Sequence, residues 1–290
     1  MRRLVVSDDA AHRLGGAVPS PAVAFLLALI ALPALFWLVM LKRTTVYTAP
    51  EEWLMTNIVF TLHRWVETNL APVEVLVVAI SALGSGWFVA AAFAALGLLA
   101  LTRGRRDLAV LLALGTLCFP IEWALKYFTS SDSMSLAALI NAMLNVNNIG
   151  LDDIADFPAG HALRATALYG LAAFCVARLA PDHRQGQLAY AAAAVLIFAI
   201  SATRIYLGAH YPMDVLGGWM AGGSLVAILV AIHVLRVDER ARAREAAKAE
   251  AERRSPTRER RIAVPRRRPE GALAQPAAKP AEPPARPVEG

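Results

Sequence analysis

Six apolar stretches, at 21–41, 75–102, 106–126, 161–180, 188–208 and 214–236, come close to or exceed the length that crosses a bilayer. A hydrocarbon core about 30 Å thick, at a helical rise of about 1.5 Å per residue, takes about 20 residues. With 57% hydrophobic and only 18% charged residues, and a mean hydropathy of +0.47, the chain is too apolar for a soluble domain of its 290 residues. The expected fold is all-α, a polytopic membrane helix bundle with six transmembrane helices.

Cations set the expected orientation. Arg2 and Arg3, the run Arg103, Arg105 and Arg106, then Arg178 with Arg184, and finally an Arg-rich tail fall on alternate connections, which the positive-inside rule makes cytoplasmic. Lys42 and Arg43 run against the pattern. The segments 42–74, 127–160 and 209–213 then face the extracytoplasmic side. The chain divides into a cytoplasmic N-terminus (1–20), a first helix with an extracytoplasmic amphipathic segment (21–74), a membrane core (75–236) and a basic, mostly disordered cytoplasmic tail (237–290). About half of all Lys and Arg lie after residue 235, so the net charge of +6 is a property of the tail and not a sign of nucleic-acid binding. The tail prolongs the last span as a polar helix for several turns; after Arg254 prolines multiply and order is expected to fade.

Within 51–70, Trp53, Ile58, Leu62, Trp65 and Val66 recur at helical spacing, as either an interfacial helix or a plain amphipathic segment packed on its neighbours. His63 reads as a surface histidine without a chemical role. Gly84-Ser85-Gly86 marks a close helix contact or a bend. A second interfacial helix is expected over 135–146. Cys118 and Cys175 lie inside apolar runs as packing residues, with no disulfide or zinc pattern.

Charge inside or beside such spans demands a reason. The run from Thr203 to Asp214 places Arg204, His210 and Asp214 between two spans, and Pro158-Ala159-Gly160-His161 opens another. Phosphoryl transfer needs an in-line nucleophile, cations on the equatorial oxygens and a proton donor for the leaving group. His210 suits the nucleophile, with Asp214 one helical turn on to fix its tautomer. His161, at a helix start where Gly160 admits a close backbone approach, suits the proton donor. Arg204 and Lys126, at span ends on the same side, suit the phosphate oxygens. Nothing in this set calls for a metal or a cofactor.

These residues resemble the type 2 phosphatidic acid phosphatase superfamily. Its third block, Ser-Arg, five residues, His, three residues, Asp, matches Thr203 to Asp214 with Thr203 for Ser; its second, Pro-Ser-Gly-His, matches Pro158 to His161 with Ala159 for Ser. The resemblance covers residues 75–236 and implies a phosphohistidine on His210, acid catalysis by His161, orientation by Asp214, and lipid phosphate or diphosphate substrates handled without metal. The expected location is a bacterial inner membrane, multi-pass, with both termini cytoplasmic and the site extracytoplasmic.

The first block, Lys, six residues, Arg-Pro, departs. Lys126 is in place, but Ser133 and Met134 stand where Arg-Pro belongs. A lost charge-assisted contact is worth roughly 1.5 to 3 kcal/mol. Arg164, three residues after His161 on the same helix face, is a candidate substitute; the opposing reading pairs it with Asp152, Asp153 or Asp156. The expected activity is a lipid phosphatase, with a phosphotransferase of the same fold and a catalytically impaired lipid-binding protein as the alternatives.

Overall fold

A computed structural model of the chain describes residues 20–42, 48–129 and 157–254. These residues are helical throughout apart from short turns. In order, the elements are α1 (Pro21–Lys42), α2 (Thr48–Leu54), a π-helical turn (Met55–Val59), α3 (Phe60–Asn69), α4 (Ala71–Ala82), α5 (Gly86–Thr102), α6 (Arg106–Gly115), α7 (Cys118–Thr129), α8 (Gly160–Leu179), α9 (His183–Tyr206) and α10 (Pro212–Arg254). Five helical stretches are long and apolar enough to cross a membrane, Arg106–Thr129 counting as one, and the bent pair α4 and α5 makes a sixth. The expected polytopic bundle is therefore present. Bounds differ by a few residues: the second span starts at Ala71, the third ends at Thr129, and the fifth starts at His183, where the Asp182 carboxylate accepts the Gln185 N–H at 2.8 Å and caps the helix; the last helix runs on to Arg254, as its expected polar prolongation does.

The chain clusters into two compact units, Met1–Arg240 and Ala241–Gly290. In the first, α8 is the central element and largely buried, whereas most of α1 is exposed. Its Leu163, Leu168, Leu171 and Phe174 meet Phe93 of α5, Leu111 of α6 and Leu225 of α10 in one core. The outward faces of α1 and α9 instead present Leu29, Trp37, Val195 and Phe198, the surface expected where acyl chains are the solvent.

With no difference in hydrophobicity between helix and lipid to drive association, close backbone approach does the work. Gly218 and Gly222, one turn apart on α10, face α8: a Cβ at Gly218 would lie 2.7 Å from the Ala159 carbonyl oxygen, and one at Gly222 2.6 Å from that of Leu163. This small-residue seam is a signal visible in the sequence that the reading above does not use.

The bend expected at Gly84-Ser85-Gly86 is real: α4 and α5 meet at 53°. It is also a close contact, since a Cβ at Gly84 would press on Ile200 and on the His161 ring. The carbonyls released by the break are taken up by side chains of α8, Leu83 by the Tyr169 hydroxyl at 3.2 Å and Gly84 by Arg164 Nε at 3.2 Å.

The segment from 48 to 69 is helical and amphipathic, with one face packed on the bundle. Trp53, Ile58, Leu62 and Trp65 are exposed, while Glu51 and Val66 are buried against the bundle. Glu51 accepts the Met213 N–H at 2.8 Å, at the start of α10. His63 is not the surface residue expected: it is half-buried, stacks edge-on against Tyr206 at 5.0 Å and lies 3.4 Å from Glu74. Cys118 is buried and Cys175 half-buried, both as free thiols. Residues 135–146, with Ser133, Met134 and the acids 152, 153 and 156, fall outside the described residues.

Candidate active site

The turn between α9 and α10 sets the spacing of the third block. Helix α9 ends on Gly208, whose φ of +71° is left-handed and strained for any residue with a Cβ. The Gly208 N–H reaches the Ile205 carbonyl and the Ala209 N–H the Arg204 carbonyl, each at 3.0 Å, the two bonds of a Schellman stop. His210 follows at once, and Pro212 starts α10 where its missing N–H costs nothing. Asp214 is the third residue of α10, and its Oδ2 accepts the Tyr211 N–H at 2.9 Å, the acidic half of a capping box. Asp214 is thus a cap and also faces the imidazole, with His210 Nδ1 4.0 Å from the same Oδ2.

His161 is in the first turn of α8, where Ala159 provides no side-chain cap. The Ala159 N–H donates to the Asp214 carbonyl at 2.9 Å, tying the second block to the third. Arg164, Arg204, Lys126 and His210 all act electrostatically on the His161 ring, so four elements deliver their charged groups to one place. All of them are buried: Lys126, His161, Arg164, Arg204, His210 and Asp214 are each less than a tenth exposed. His161 Nε2 and Arg204 Nε are buried without a hydrogen-bond partner among the described residues, and Arg204 Nη1 donates to Ser81 Oγ at 3.1 Å.

Three sequence expectations change. Arg164 is held by groups of the protein. Its Nη1 is 2.5 Å from Glu122 Oε2, its Nε donates to the Gly84 carbonyl, and its Nη2 lies 3.4 Å from His161 Nδ1. An acid does pair with Arg164, as the opposing reading held, but it is Glu122. Gly160 makes room for that acid more than for a ligand, since a Cβ there would collide with Glu122 Oε1 and come within 2.9 Å of Arg164 Nη1. The Thr203 hydroxyl donates to the Ile200 carbonyl at 2.6 Å, on its own helix, so its proton is not offered to a bound anion.

Lys126, from the end of α7, holds the expected position and lies 3.5 Å from Glu122 Oε1. Glu122, Ser81, Gly84 and Glu51 were missed in the sequence. For Glu122 the signal was present: a carboxylate inside an apolar span, one turn before the lysine.

Residues 149–238, which carry the second and third blocks, match the family model described as the PAP2 superfamily. Among individual relatives, phosphatidylglycerophosphatase B of Bacillus subtilis (strain 168) is 33% identical over 67 residues. That match takes in 23% of this chain and spans about a third (33%) of the relative's length. The crystal structure of the first transmembrane PAP2 type phosphatidylglycerolphosphate phosphatase from Bacillus subtilis has a TM-score of 0.51 at 21% identity, over 76% of this chain and 96% of that one. At that identity the likeness is one of fold.

Proposed function

We propose that this chain is a membrane lipid phosphatase that removes a phosphate, or the outer phosphate of a diphosphate, from a prenyl lipid or glycerolipid. The observation that carries the reading is the convergence of two imidazoles, from separate spans, with Arg204 and Lys126 in one buried cluster. Asp214 faces Nδ1 of His210, which leaves Nε2 to attack phosphorus. As the P–N bond forms, the bond from phosphorus to the lipid oxygen breaks, and that oxygen takes a proton from His161. Asp214 stabilises the charge that the His210 ring acquires. Arg204 and Lys126 hold the non-bridging oxygens, in a setting where burial strengthens their pull. Water then attacks the phosphorus while His161 takes its proton back from that water, the P–N bond breaks to return neutral His210, and inorganic phosphate leaves.

The distribution of cations in the sequence supports a site on the extracytoplasmic face of a bacterial inner membrane, with both termini cytoplasmic. The named relative makes phosphatidylglycerophosphate one substrate to try.

The test uses purified full-length protein in detergent with dioctanoyl phosphatidic acid, phosphatidylglycerophosphate and farnesyl diphosphate, following free phosphate with and without EDTA. Release that survives EDTA and is lost in His210→Ala, with a covalent phosphate trapped on the wild type, supports the reading. Undiminished release by His210→Ala overturns it. Phosphoryl transfer to an added alcohol in place of water identifies a phosphotransferase, and saturable lipid binding without turnover a binding protein.

A further inference from the structure

Glu122 takes no part in the chemistry above, yet it is only 2% exposed and touches two of the three cations of the site. A lone carboxylate buried in a membrane span is costly, and here it is compensated by Arg164 on one oxygen and Lys126 on the other. What the arrangement accomplishes follows from the third group Arg164 reaches. A guanidinium has five N–H donors and no acceptor, and it stays protonated. Its Nη2 is 3.4 Å from His161 Nδ1, so the favourable partner on that nitrogen is a lone pair. The ring proton then belongs on Nε2, the atom with no hydrogen-bond partner among the described residues.

Arg164 alone would not hold this geometry, because a long side chain with one contact keeps most of its rotamers. Two further anchors fix it, the Glu122 carboxylate and the Gly84 carbonyl released by the bend. Gly160 is part of the same device, since any Cβ there would fall on the carboxylate.

We propose that Glu122 and Arg164 form a positioning pair that holds His161 as its Nε2–H tautomer, with that proton presented to the phosphate site and the Arg164 guanidinium on Nδ1 offsetting the negative charge the ring carries between giving up that proton and regaining it from water. Arg164 then does not stand in for the arginine missing at position 133; it works behind His161. The proposal rests on the reading of His161 as proton donor, and its test separates the two.

The test uses full-length protein labelled with ¹⁵N-histidine in detergent, with dioctanoyl phosphatidic acid as substrate. The His161 signals, assigned by their absence in His161→Asn, report the tautomer. In the wild type they show Nε2–H; in Glu122→Gln and in Arg164→Lys they show a mixture, and kcat falls by about tenfold to a hundredfold while KM stays within about threefold. A wild-type ring protonated at Nδ1, or Glu122→Gln with tautomer and kcat both unchanged, overturns the proposal. Should Glu122→Gln not fold, Gly160→Ala, whose methyl displaces an intact carboxylate, gives the same two readings. Turnover surviving in His210→Ala defeats the phosphohistidine reading instead; an inactive His210→Ala beside an unaltered Glu122→Gln defeats the positioning pair alone.

Discussion

The N–H of His210 lies 3.3 Å from the carbonyl of Arg204, so the imidazole and the guanidinium of the candidate site stand at either end of one glycine-closed turn. Gly208 makes that turn with a φ of +71°, and a Cβ there would press on Phe60. Gly208→Ala is expected to cost about 1–2 kcal/mol for the left-handed backbone alone, with a further loss from the Phe60 contact, and to reduce phosphate release. Gly104 has the same sign of φ, at +73°, but open space around it, so Gly104→Ala should lower the melting point by the backbone cost only and leave turnover intact. Melting curves and phosphate release on the pair separate strain from site geometry.

Asp214 caps α10 and faces His210 with the same oxygen. Asn at this position keeps an acceptor for the Tyr211 N–H but has no charge to offset the ring cation. Asp214→Asn is expected to shift the melting point by no more than about 2 °C and to lower kcat by about a hundredfold or more. A kcat within twofold of wild type, about 0.4 kcal/mol by rate theory, would remove Asp214 from the mechanism.

Adjacent glycines of α10 predict opposite outcomes. A methyl on Gly222 meets the Leu163 carbonyl oxygen and Thr166 of α8, whereas one on Gly223 meets nothing within 4 Å. Gly222→Ala is expected to destabilise the bundle by about 1–3 kcal/mol through overpacking. Gly223→Ala should stabilise it by about 0.5–1 kcal/mol through helix propensity. Denaturation in mixed micelles reads both.

Sidedness is testable with single cysteines at exposed positions near the two ends of the bundle. Asn69 is exposed at the end of α3, which packs on the site end, and Gln185 is exposed in the first turn of α9, at the other end of the helix that carries Arg204. In intact spheroplasts, a membrane-impermeant maleimide should label Asn69→Cys and spare Gln185→Cys until the membrane is opened. The reverse pattern would put the site on the cytoplasmic side.

Run length and charge spacing made the spans and the third-block turn legible from the sequence. Spacing within one helix is local information, and a motif closed by Gly208 and Pro212 carries its own geometry. What escaped the sequence are pairings between spans. Arg164 had three nearer acids in the chain, and nothing local says that its partner is Glu122, 42 residues back. Ser81 and Glu51 became part of the site through helix packing over still greater separations, 123 residues to Arg204 and 162 to Met213. The seam of Gly218 and Gly222 was readable, but as a packing signal it names no partner helix.

The break between α4 and α5 joins two things that membrane solvation would otherwise set against each other. A continuous helix through 83–85 would draw the Leu83 and Gly84 oxygens into its own ladder, taking the acceptor from the Tyr169 hydroxyl and one of the anchors from Arg164, which would keep Glu122. Taking the guanidinium away would strip the Gly84 carbonyl of the N–H that Arg164 donates to it. Neither half can be redesigned by itself: straightening this span and neutralising position 164 must be done in the same variant, and a library that samples them singly will find each intolerable.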